Sequence, residues 1–201
     1  MEIAATFNTL QSGIAGAERV IEILDREEER KDLDDAIEVE NIKGEVEFRN
    51  VNFEYKKGEP ILKDISFKIE PGKNIALVGP TGAGKTTIVN LLTGFYEVEM
   101  GEILIDGINI KDYKKYSLRN IFGMVLQDTY LFSGTVKENI RYGKLDATDE
   151  EIIKALKTAQ CWEFVKNLPE KHNSVVFEGG KNFSGGQKQR LTIARALVKN
   201  P

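Results

Sequence analysis

The run Gly79-Pro80-Thr81-Gly82-Ala83-Gly84-Lys85-Thr86 constrains this chain more than any other feature. It fits G-x-x-x-x-G-K-[ST], follows the apolar run Ile75–Val78 and opens a helical pattern from Lys85 to about Leu92. The chemistry needs these residue types. Glycines let the backbone wrap around a phosphate, so that successive N–H groups point at its oxygens. The helix behind the loop adds its own first N–H groups and the positive end of its dipole. Lys85 is placed to reach β- and γ-phosphates, and the Thr86 hydroxyl to hold Mg²⁺. Alone, the loop predicts a phosphate site and no more, because kinases, GTPases and many ATPases share it.

Composition excludes several other classes. With 201 residues there is room for one domain, or one domain and an appendage. A net charge of −4 lacks the basic footprint of a nucleic-acid-binding domain. Cys161 is the single cysteine and His172 the single histidine, which excludes an intramolecular disulfide and any cysteine- or histidine-based metal cluster. The low cysteine content fits a reducing compartment. No run approaches the roughly 18 apolar residues of a membrane span, and the start lacks the pattern of a signal peptide. His172, among Pro169, Glu170, Lys171 and Asn173, has the setting of a solvated turn histidine.

Three zones follow one another. Ile3, Phe7, Leu10, Ile14, Ala17, Ile21 and Leu24 make one apolar stripe on a helix over residues 1–28. That stripe suits packing on its own domain or on partner helices. A charged, mainly acidic linker occupies 29–43. From residue 44 to 201 strands and helices alternate. Val46, Phe48, Val51, Phe53 and Tyr55 give a half-buried strand with a bulge. Ile65, Phe67 and Ile69 give a second strand, and Glu102–Asp106 leads into an Asp-Gly hairpin. Ile75–Val78 and Phe122–Leu126 read as buried strands. Thr148 with Glu151 starts a helix expected to reach about Leu168, and Ser184 with Gln187 starts another. The class is α/β with an antiparallel subdomain.

The segment Phe183-Ser184-Gly185-Gly186-Gln187 is a second anion-ready helix start. Its two glycines permit close backbone approach, and two copies set head to tail would each cover the other's nucleotide. Taken with the phosphate loop, it makes the chain from about Gly44 to Pro201 resemble the ATP-binding-cassette family. The resemblance implies a phosphate-loop NTPase fold with an antiparallel β subdomain, a RecA-like core and a helical subdomain over roughly 129–190. It implies ATP and Mg²⁺ as ligands. Gly79, Pro80, Thr81, Gly82, Ala83, Gly84, Lys85, Thr86 and Thr87 become the Walker A site. Tyr55 becomes the residue stacking on adenine, and Gln127 a Mg²⁺ ligand, with Thr86, and a coupling point to the membrane domain. Ser184, Gly185, Gly186 and Gln187 become the signature that reads the γ-phosphate of ATP on the opposite subunit.

Gly101–Gly107 and Gln127–Ile140, with Leu131-Phe132-Ser133-Gly134-Thr135, resemble exporters in particular. So do Glu178 and Gly180, in a loop that contacts intracellular helices. Phe183 stands where leucine is usual and Phe177 where glycine is usual. Thr9–Asp25 resembles the cytoplasmic end of an exporter's last transmembrane helix. The implied partners are a second nucleotide-binding domain and a transmembrane domain, at the cytoplasmic face of the membrane. The Walker B carboxylates and the switch histidine of the family have no counterpart here, since Asp106, Asp128 and His172 all lie in the wrong context. The chain therefore resembles part of a longer transporter. An alternative is a module that binds nucleotide without hydrolysing it. By itself the chain is expected not to turn over ATP; steady phosphate release, abolished by Lys85→Ala, would overturn that expectation.

Overall fold

The computed structural model describes residues 2–26 and 28–201. They form two units, divided between residues 32 and 33. The first is the helix α1, Glu2–Leu24. Ile3, Phe7, Leu10, Ile14, Ile21 and Leu24 of its stripe are all exposed. No helix of the described residues is long and apolar enough to cross a membrane.

The second unit has two hydrophobic cores. One lies against an antiparallel sheet of order β2-β1-β3-β4. These strands are β1 (Val46–Glu54), β2 (Pro60–Ile69), β3 (Met100–Ile105) and β4 (Ile108–Asn109). The alternation of apolar residues on β1 puts Phe48 and Phe53 on the buried face, and a register shift between Phe48 and Val51 keeps Val51 there too. Phe48 stacks on Phe67 with ring centres 4.6 Å apart. The helices α2 (Lys85–Leu92) and α3 (Lys115–Asn120) add Leu91 and Leu118 to this core.

The second core is helical. It joins α4 (Val136–Arg141), α5 (Asp149–Thr158), α6 (Trp162–Val165) and α7 (Gly185–Leu197) through Ile140, Ile152, Leu156 and Leu191. A short hairpin, β5 (Gly134–Thr135) with β6 (Val175–Val176), closes one side. Reciprocal capping boxes open α4 (Thr135, Glu138), α5 (Thr148, Glu151) and α7 (Ser184, Gln187).

Four features differ from the sequence reading. Ile75–Val78 and Phe122–Leu126 are not strands of any ladder. Strand pairing needs a neighbour to receive each backbone N–H, and among the described residues no strand pairs with either segment. Between them, α2 and the sheet lies a cleft of about 790 Å³ lined by Ile75, Leu77, Val89, Val125 and others, and Val78 is 93% exposed. The helix from Asp149 ends at Thr158, because Gln160 takes a left-handed conformation (φ 55°) before α6 begins. His172 is no solvated turn residue. Its side chain is only 14% exposed, with the ring 6.4 Å from Trp162 and Nε2 3.7 Å from the Asp149 carboxylate.

The acidic stretch before β1 is held to the segment between Asp106 and Ser117. Ile37 pairs by backbone with Asp112 and Lys114, and the Val39 N–H donates to Ser117 Oγ at 2.7 Å. The Asp106 carboxylate accepts from the N–H groups of Lys43, Gly44 and Glu45. Burial raises the Asp106 pKa, but these three donors more than offset it and hold the carboxyl below its ordinary value of 3.8. A carboxyl with a depressed folded pKa stabilises the fold above its unfolded pKa, and this is lost as pH falls through the folded value. Asp106→Asn should flatten the decline of melting temperature below about pH 4. An unchanged acid limb would contradict that assignment.

Candidate functional site

Residues 79–84 form a loop ending in Gly84, the N-cap of α2. Gly84 is left-handed (φ 85°, ψ 7°), and a Cβ there would come 2.6 Å from Leu62 Cδ2. Only glycine suits a position that combines that conformation with that contact. It also has no side chain to receive the first N–H groups of the helix. The N–H groups of Lys85, Thr86 and Thr87 therefore lack acceptors within α2, as at any uncapped helix start.

Lys85 folds back over the loop, its Nζ donating to the carbonyls of Gly79 and Pro80, each at 2.8 Å. An ammonium has three donors, so one remains for an anion at the loop mouth. Thr86 is exposed. Thr87 is 5% exposed and its Oγ1 accepts from the Tyr55 hydroxyl at 3.2 Å. What Thr87 can offer a phosphate is thus its backbone N–H. The same bond ties Tyr55 to the start of α2, while 46% of Tyr55 stays open to solvent.

Lys85, Thr86, Gln127 and Asp128 line the same cleft. Thr86 and Gln127 bring neutral oxygens of the hard type that suits Mg²⁺, an ion that usually keeps waters and phosphate oxygens among its ligands. Among the described residues no group of three or more acidic, histidine or cysteine side chains forms a metal cage. The residues fit a site that phosphates would complete.

Tyr96 was not anticipated. Its ring centre lies 4.9 Å from that of Tyr55, edge to face, and Phe53 stands 4.9 Å from Tyr55 and 5.7 Å from Tyr96. Nothing in the spacing of residues 55 and 96 announces this contact. Asp128 shares the cleft with Gln127.

Ser184–Gln187 do not line this cleft. The Ser184 Oγ accepts from the Gln187 N–H at 3.3 Å, and the Ser184 N–H donates to Gln187 Oε1 at 2.9 Å. A Cβ on Gly185 or Gly186 would meet nothing within 4 Å. Glycine costs a helix about 1 kcal/mol relative to alanine, and packing inside this chain gives no reason for two of them. Phe183 is buried beside Phe164. Phe177 is exposed, in a loop that Asn182 fixes through the Phe177 N–H and the Val175 carbonyl.

Fold and loop together define a phosphate-loop nucleotide-binding protein. Comparison with known proteins narrows this. The ABC transporter family model matches residues 62–201, and the chain belongs to that family. An uncharacterized ABC transporter ATP-binding protein of Bacillus subtilis is 50% identical over the whole chain, which spans 33% of that relative. An ATP-dependent lipid A-core flippase of Syntrophus aciditrophicus is 46% identical over 96% of the chain and 32% of its own length. A solved bacterial Atm1-family ABC exporter with ATP bound superposes with a TM-score of 0.85 at 39% identity, over 97% of this chain and 34% of that one. The chain thus spans about a third of the length of the relatives it matches.

If Tyr55 stacks on adenine, Tyr55→Ala should weaken ATP binding by about tenfold, in line with the worth of one base–aromatic stack. Inorganic triphosphate binding should hardly change. Equal losses for both ligands by calorimetry would place Tyr55 outside the base site.

Proposed function

We propose that the chain is the ATP-binding part of an exporter, which couples ATP binding and hydrolysis in the complete protein to movement of a substrate across the membrane. One observation carries this reading. The chain has two glycine-rich helix starts, and only the first opens on the cleft that also holds Gln127. The second presents two glycines with nothing of the same chain against them, which suits a nucleotide brought by a facing copy.

In this reading Gly79–Thr87 wrap the phosphates with backbone N–H groups and Lys85 balances their charge. Thr86 and Gln127 would hold Mg²⁺, which would supply positive charge to neutralise the phosphates. Ser184–Gln187 of a facing domain close the site. Tyr130 and Phe132, just after Gln127, form an exposed aromatic patch with Tyr142 at the end of α4, which suits docking of a transmembrane domain. The membrane-domain partner would place this chain at the cytoplasmic face of a membrane. The relatives' names, a flippase and exporters, support export of an apolar or lipid-like substrate.

Lys85→Ala tests the core of this reading. Loss of a charge-assisted contact worth about 1.5–3 kcal/mol should weaken Mg²⁺–ATP binding at least about tenfold, measured by calorimetry on folded protein. Unchanged affinity would mean that nucleotide binds elsewhere.

A further inference from the structure

Arg195 lies on α7, three turns beyond Ser184, and reaches across the helical core to the segment that follows Gln127. Its Nη1 donates to the Tyr130 carbonyl at 3.0 Å, its Nε to the Asn139 carbonyl at 2.8 Å and its Nη2 to Asn139 Oδ1 at 2.8 Å. Asn139 is 1% exposed and extends the bridge. Its Oδ1 also accepts from the Phe132 N–H, and its Nδ2 donates to the carbonyls of Phe132 and Thr135. The guanidinium lies 5.4 Å from the Phe132 ring centre.

Among the described residues these partners are all neutral oxygens, and burial lowers the Arg195 pKa. A desolvated cation without a carboxylate is an expensive way to fill space. What it supplies is a rigid fork that meets three acceptors at once, which a lysine could not reproduce. The backbone just beyond α4 also comes close to α7 here: a Cβ on Gly143 would collide with the Arg195 carbonyl. The segment 130–132, α4 and α7 are therefore tied together by these bonds.

We propose that Arg195 is a positioning residue that couples the Gln127 segment to the signature helix, so that nucleotide held at Gly79–Thr86 and Gln127 orders the start of α7 within the same chain. The proposal rests on the nucleotide reading of that site. It assigns Arg195 no contact with ATP.

Hydrogen exchange with and without Mg²⁺–ATP tests it, at a protein concentration where sedimentation shows a monomer. In the unmodified chain, ATP should slow exchange at residues 79–92 and also at 186–191, the latter by about tenfold, a usual size for coupling between sites. Arg195→Lys and Arg195→Gln should keep the first effect and lose the second. Ile152→Val, which loosens the same core without touching the bridge, should keep both. Protection of 186–191 that survives in both Arg195 variants, or that Ile152→Val also removes, would overturn the proposal. Protection confined to 79–92 in the unmodified chain would do so too while leaving the nucleotide reading standing. No protection anywhere would remove both.

Discussion

The structure depends on how the first N–H groups of α2 are satisfied. The helices α4, α5 and α7 each close their first turn with a side-chain box. Helix α2 does not: its N-cap is Gly84, held left-handed against Leu62. An eight-residue helix with open donors and a lysine folded into its mouth is arranged for an anion as its missing cap. The neighbouring residues frame this helix start. Leu62 and Ile61 of β2 set the loop from behind, Tyr55 is pinned to Thr87 beside it, and Gln127 shares the cleft in front.

Much of the fold was legible because its signals are local. The limits of α2 follow from the loop pattern, the β1 bulge from a shift in alternation, and the boxes at Thr148 and Ser184 from partners three residues apart. The box at Thr135 and Glu138 carries the same signal inside a longer motif. What failed was non-local. Ile75–Val78 and Phe122–Leu126 have the composition of buried strands, but strand character belongs to a pair, and no described residues supply the partner. His172 has a polar sequence neighbourhood, yet Trp162 and Asp149 enclose it from other elements.

The site shows the same division. The phosphate loop can be read from eight consecutive residues. Tyr96 beside Tyr55, Thr87 as anchor of Tyr55, and Asn139 with Arg195 as the bridge into α7 depend on contacts between residues 32 to 56 positions apart. Spacing along the chain is silent about these. Gly185 and Gly186 are the reverse case. The sequence marks them, and the structure adds that nothing within the chain packs against them, which directs attention to what lies outside.

The central claim is that one nucleotide is held between the phosphate loop of one copy and the signature of another. A photoreactive ATP analogue bearing its label on the γ-phosphate measures this directly, using an equal mixture of unmodified chain and an isotopically heavy chain carrying Lys85→Ala. The account predicts cross-links from the γ-position onto residues 184–189 of the heavy chain at ATP concentrations that fill only the unmodified loop, since Lys85→Ala holds nucleotide at least about tenfold more weakly. Labelling confined to the light chain's own residues 79–92 and 125–130, with dimers present, would contradict it.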